Sequence, residues 1–168
     1  ALHCAGATEI YKIGGAQAVA ALALGTKTIR PVQKIFGPGN AYVVEAKRQV
    51  FGRVAIDLLP GPSEVLVIAD DSSTPAWVAA DLLAQAEHGK GSGMVLLTNS
   101  DRVLKAVNEA ISEQLQTLSR RSHLEGVLAK TAVLVRVKDL AEAVTLCNAY
   151  APEHVSIQTA DPEMIADQ

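Results

Sequence analysis

Gln85 and His88 stand three residues apart in the run Asp81-Leu82-Leu83-Ala84-Gln85-Ala86-Glu87-His88-Gly89. On a helix that spacing puts both side chains on one face about one turn apart, within reach of a single metal ion. Histidine is the usual zinc ligand, and glutamine offers a neutral carbonyl oxygen in a rarer ligand role. A histidine at a helix end also suits the helix dipole with no metal at all. A second pair, Glu153 and His154, follows Tyr150-Ala151-Pro152 and leads into a β-branched run. Strand neighbours point to opposite faces, so these two can line one cleft only at a strand entrance. There an imidazole suits general-base work near neutral pH, and a carboxylate suits activation of water. A solvated turn with a proline explains the same residues without chemistry.

Two glycine turns are further candidates. In Ile13-Gly14-Gly15-Ala16-Gln17 the glycines let backbone N–H groups approach an anion at a helix start, or simply make a tight turn. In Gly37-Pro38-Gly39-Asn40 the asparagine is placed as an N-cap, and its amide is equally suited to the edge of a nucleotide. Two such turns in one region point to a cofactor crevice, because ligands gather outside the carboxyl ends of parallel strands. By the same rule the loops carrying Gln85, His88, Glu153 and His154 are expected to open together at that edge. Cys4 and Cys147 are possible nucleophiles for an aldehyde oxidiser, but the apolar helical pattern around Cys147 favours an inert buried thiol. His3 and His123 have no spacing that favours function.

The elements that must position these residues alternate between short β-branched runs and longer amphipathic ones. Strands are expected at 9–13, 34–36, 54–58, 65–69, 94–97, 132–137 and 155–158. Helices are expected from Gly14-Gly15 to 24, over 41–50, from a Ser73 or Thr74 cap to about 88, and over 101–118 and 140–148. A last helix is expected to begin near Asp167. This alternation predicts an α/β, Rossmann-like fold: a mostly parallel sheet flanked by helices, in two incomplete lobes, although the GxGxxG fingerprint is absent. Pro60-Gly61-Pro62 interrupts every pattern and divides a lobe at 1–62 from one at 63–168.

Composition narrows the class. The 168 residues carry a net charge of −3, 49% hydrophobic and 20% charged residues, and two cysteines outside any CxxC pair. Nothing in this balance suggests nucleic acid or a membrane surface as partner, and the cysteines fit a cytoplasmic, reducing setting. The apolar run 16–24 is too short to span a bilayer. The ends, Ala1 and Gln168, are read as cut points within a longer chain.

The segments IGGAQAVAALALGT, IFGPGNAYVVEAKRQVFG, IDLLPGPSEVLVIAD, DLLAQAEHG and YAPEHVSIQT, in that order, resemble the histidinol dehydrogenase family. The resemblance covers most of the chain and is weaker from Asp101 to Lys130. It implies a zinc-requiring enzyme of amino-acid biosynthesis that oxidises L-histidinol through L-histidinal to L-histidine, reducing two NAD. By position, Gln17 and Asn40 match NAD contacts, Ser63 matches a substrate-contacting serine, and Gln85 and His88 match zinc ligands beside the substrate. Glu153 and His154 match the catalytic pair, His154 as base and Glu153 in water activation, with His154 also beside the substrate. Pro60 departs from the family, which more often has a small residue there. The family's other zinc ligands, an aspartate and a partner-subunit histidine of a homodimer, lie further along than Gln168. The isolated chain is therefore expected to be inactive. The alternative is a non-catalytic nucleotide- or partner-binding module derived from the family.

Overall fold

The computed structural model describes residues 2–61, 63–89 and 91–168 and divides into two compact units, Ala1–Pro60 and Gly61–Gln168. The expected boundary residue Pro62 lies outside the described residues. The chain is α/β, with parallel sheets flanked by helices. Among the described residues no helix is long and apolar enough to cross a membrane.

The first unit is thin. Helix α1 (Gly15–Leu24) and helix α2 (Ala41–Val50) pack with strands β1 (Lys34–Ile35) and β2 (Ala55–Ile56), a parallel pair with Ile35 opposite Ile56. Val19, Ala23, Ile35 and Val54 form its core, with Leu22, Val32, Val43, Ala46 and Val50 packed against them. The strand expected at 9–13 does not form. Ile10, Tyr11 and Ile13 are exposed, and among the described residues no strand pairs with this segment, so its backbone groups have no ladder to join. The segment is held by side chains instead: Tyr11 donates to Glu9 and to the Thr28 carbonyl, and Arg30 pairs with Glu9 at 2.6 Å.

The second unit is built on four parallel strands in the order β5-β4-β3-β6. These are β3 (Glu64–Ala69), β4 (Gly93–Thr98), β5 (Ala132–Arg136) and β6 (His154–Gln158). Helices α3 (Pro75–Ala86), α4 (Asp101–Leu115) and α5 (Arg121–Thr131) cover one face. Helices α6 (Leu140–Tyr150) and α7 (Pro162–Ala166) cover the other. Because both faces are covered, the central strand reads as the unbroken apolar run Val65 to Ala69, all of it buried. The stripe Val103, Val107, Ile111 and Leu115 of α4 is buried at the period of a helix. Order β5-β4-β3-β6 means that the chain builds outward from β3 and then returns to its other side, a topological switch between β3 and β6.

Several local expectations change. Thr74 stands at the N-cap position of α3 without a side-chain cap bond, and the Ser73 hydroxyl donates to the Asp70 carbonyl instead. Helix α4 stops at Leu115, and α5 occupies a stretch to which the sequence patterns assign no element. The last helix begins at Pro162 behind an Asp161 cap, earlier than expected.

Candidate functional site

In the second unit, each candidate residue lies on the way into a strand or at its first position. Ser63 precedes β3, and its carbonyl accepts from Gly93 N–H at 3.0 Å. Gln85 and His88 close the passage from α3 toward β4, and Glu153 and His154 open β6. In a parallel sheet these positions all lie at the amino-terminal edge. The expectation that they open at the carboxyl edge is overturned, because each lies ahead of or at the start of a parallel strand, and such positions fall at the amino edge. The carboxyl edge is occupied at the switch point. There Asp70 N–H donates to the Gln158 carbonyl at 3.3 Å, and the Asp70 carboxylate accepts from Ala160 N–H at 3.0 Å. These bonds lace the carboxyl ends of β3 and β6 together. Beside them Asp71 takes the Ser100 hydroxyl at 2.5 Å and Arg102 at 3.3 Å. Several polar groups at that edge are thus satisfied by one another, although the buried Thr159 hydroxyl finds no partner among the described residues.

The amino edge is open. A cavity of about 360 Å³ is lined by Val65, Asp81, Ala84, Gln85, His88, His154, Val155 and Ser156. Register explains the β6 contribution: His154 pairs with Val65 and Ser156 with Val67, so alternate residues of β6 share the β3 face that α3 covers. Asp81, one helical turn before Gln85, accepts from the Ser156 hydroxyl at 2.8 Å and from the Gln158 amide at 2.9 Å. Those two bonds tie β6 to α3. Gln85 is 6% exposed, and its amide nitrogen has no hydrogen-bond partner among the described residues. A buried unpaired amide costs about 1–3 kcal/mol. His88 is exposed and lies just past the helix end, in a turn where its N–H donates to the Gln85 carbonyl at 3.1 Å. The expected shared helical face therefore becomes a helix residue and a turn residue lining one cavity.

Glu153 does not line that cavity. Its carboxylate accepts from Glu64 N–H at 3.4 Å and lies 3.8 Å from His154 Nε2. The approach to this pair is set by Ala151, whose left-handed φ of 52° ends α6 through its N–H bond to the Cys147 carbonyl at 2.8 Å. Tyr150 donates to Glu64 Oε1 at 3.1 Å, and burial together with that bond pushes its phenol pKa up. Cys147 is buried, and burial raises its thiol pKa, while Cys4 is exposed.

In the first unit the two glycine turns open helices. Gly15, at φ 75°, has its Cα face against Gln17: an added Cβ would sit 2.9 Å from Gln17 Oε1. Asn40 caps α2, its Oδ1 accepting from Tyr42 N–H at 3.1 Å and Val43 N–H at 3.2 Å. The cap uses the amide oxygen and leaves the NH₂ for another partner, so capping and ligand contact do not compete. Beneath this turn is a charged group the sequence patterns left unmarked. Lys47, 2% exposed, donates to the Gly37 carbonyl and to Asp57 Oδ1, both at 2.5 Å. Asp57 also accepts from Gly37 N–H at 2.8 Å and from Leu58 N–H at 2.8 Å. Lys47 first, and then these backbone donors, hold the Asp57 carboxyl far below the usual carboxylate range. Asp81 likewise went unmarked, though its place four residues before Gln85 was a usable signal.

Among the described residues no three His, Cys, Asp or Glu side chains come together to hold a metal. Gln85, through its carbonyl oxygen, and His88 line one cavity and fit part of a metal shell, and no more than part.

A family model described as histidinol dehydrogenase matches residues 1–168. The histidinol dehydrogenase of Rhodopseudomonas palustris is 55% identical over 168 residues, covering 100% of this chain and 39% of the relative. That of Rhizobium meliloti is 55% identical over 163 residues, 97% of this chain and 38% of the relative. A crystal structure of histidinol dehydrogenase from Elizabethkingia anophelis matches with a TM-score of 0.90 at 42% identity, over 98% of this chain and 38% of that one. The chain spans about two-fifths of the length of the curated relatives it matches.

Proposed function

This chain belongs to the histidinol dehydrogenase family, and we propose that it carries residues for the NAD-dependent, zinc-requiring oxidation of L-histidinol through L-histidinal to L-histidine. The observation that supports this best is the amino-edge cavity, where Gln85, His88 and His154 meet. Gln85 and His88 would hold zinc, which when bound anchors the substrate's nitrogens, while bound NAD accepts hydride. His154 takes the alcohol proton as hydride departs. Glu153, beside His154 but outside the cavity wall, activates the water consumed in the second oxidation. Ser63, at the entrance to β3, contacts the substrate. Gln17 and the free amide of Asn40 face NAD from the helix starts of the first unit, where the dipole favours phosphate.

The first unit is thus read as the cofactor side and the second as the zinc and substrate side. The full-length protein is read as a cytoplasmic homodimer, with free thiols suited to a reducing compartment. The test is NADH formation by a full-length protein carrying this sequence, given NAD, zinc and histidinol. No NADH with either histidinol or histidinal sinks the reading. A companion measurement concerns the metal: two neutral donors make a poor zinc site. The 168-residue chain alone should retain no stoichiometric zinc after dialysis, and one zinc per chain by elemental analysis overturns that partial-shell assignment.

A further inference from the structure

Lys47 is the one charged residue in the buried class among the described residues, and it is joined to a carboxylate. Buried ion pairs are seldom the most stable filling for their volume, since apolar residues of similar size often do as well or better. The reason for this pair is better sought in what it grips. Both groups close on one residue: Lys47 takes the Gly37 carbonyl, and Asp57 takes the Gly37 N–H. The turn that begins at Gly37 has little to hold its own shape. Gly37 has φ 131°, a region that favours glycine, and Gly39 lies so close to Val43 that a Cβ would come within 2.4 Å of the valine Cβ. With glycine on both sides of Pro38, the backbone is free to sample other forms. Constraint comes from outside the turn, from α2 through Lys47 and from the exit of β2 through Asp57.

We infer that Lys47 and Asp57 are a positioning pair that holds the Gly37-Pro38-Gly39-Asn40 turn in the form that presents the Asn40 NH₂ to NAD. The inference rests on the reading of Asn40 as an NAD contact. Neither residue touches the cofactor; each acts through Gly37. If the turn without its clamp holds the receiving form about one-tenth of the time, NAD affinity falls about tenfold.

The experiment uses full-length protein carrying this sequence, with NAD binding read by titration calorimetry and backbone exchange at residues 37–43 read in the cofactor-free state. Asp57→Asn removes the charge, and the double variant Lys47→Met with Asp57→Leu replaces the pair by apolar groups that keep the core filled. Both should weaken NAD about tenfold, leave histidinol affinity unchanged and speed exchange of the turn amides. The double variant should do so at near-native thermal stability, which a purely structural role would not allow. Unchanged NAD affinity in a folded double variant overturns the inference. So does equal weakening of NAD and histidinol, because that reports general damage. Asn40→Asp keeps the cap oxygen and loses the NH₂ donor, so it separates the two ideas. If Asn40→Asp weakens NAD and the clamp variants do not, only the clamp fails. If Asn40→Asp binds NAD normally, the underlying assignment falls and takes the clamp with it.

Discussion

The two units present their candidate residues at opposite ends of their strands. In the first, Asn40 comes after β1 and at the start of α2, the arrangement expected for a ligand at the carboxyl edge of a parallel pair. In the second, Ser63, His88 and Glu153 come before strands and His154 begins one, while Asp70, Asp71 and Ser100 bond to one another and to neighbours at the carboxyl edge. The units also differ in what holds the site. A two-stranded sheet of two residues each offers little register, so the first unit relies on a buried charge to fix its turn. The second has five consecutive pairs between β3 and β6, and the ladder itself sets His154 beside Val65. A parallel sheet offers two usable edges, and whether a residue precedes or follows its strand decides which one it serves.

The sharpest way to break this comparison is at the amino edge. In a full-length protein carrying this sequence, His154→Ala should lower the histidinol rate about 10²–10⁴-fold, the worth of a general base. Glu153→Gln should impair histidinal oxidation more than the first step, because only that step consumes water. Following NADH from each substrate separately decides it, and equal losses on both for Glu153→Gln would reassign that residue. Next in size is the core contrast. Leu96→Ala, at a site with 0% exposure beneath three helices, should cost about 2–5 kcal/mol in urea unfolding. Val54→Ala in the thinner core should cost less, and the reverse order would contradict the difference drawn between the units.

A third test uses acid. The Asp57 carboxyl is held below its unfolded value, so the unfolded chain binds more protons and stability rises with pH. The contribution is complete above about pH 4 and is lost as pH falls through the folded value. Unfolding curves across this range should show the first unit loosening in acid, and Asp57→Asn should flatten that limb. No change of slope in Asp57→Asn would remove charge as the fastening. The smallest effect concerns the approach to β6. A non-glycine residue in the left-handed region costs about 1–2 kcal/mol, and glycine returns part of that gain through chain entropy. Ala151→Gly should therefore stabilise the second unit by about 0.5–1 kcal/mol by denaturant unfolding. A loss of stability would show that the alanine methyl packs favourably there.

Much of the second unit was legible because its elements are long enough to repeat a pattern. Val65 to Ala69 reads as a buried strand, and the four-residue stripe on α4 reads as a helix face. The strand expected at 9–13 failed for the opposite reason: five residues are too few to specify a strand unless another strand is there to receive them. Pairs such as Gln85 and His88 were visible as spacing, and their place ahead of a parallel strand puts them at the amino edge; which residues of β6 join them there is set by register, a matter of contacts far apart in sequence. Lys47 and Asp57 were hidden because a lysine on an amphipathic helix ordinarily faces water.

The pairing of β3 with β4 and β6 also has a consequence for how this protein can vary over generations. Register acts as a ruler: Glu64 is held opposite Gly93, and Val65 opposite His154, whatever the length of chain that connects them. Residues added to the connection between α4 and α5, or between β5 and α6, leave that alignment untouched. Those connections are where a lineage can lengthen or shorten the chain freely. A single residue gained within β6 would instead exchange the two faces of the strand on one side of it, parting Ser156 from Asp81 or the imidazole from its cavity.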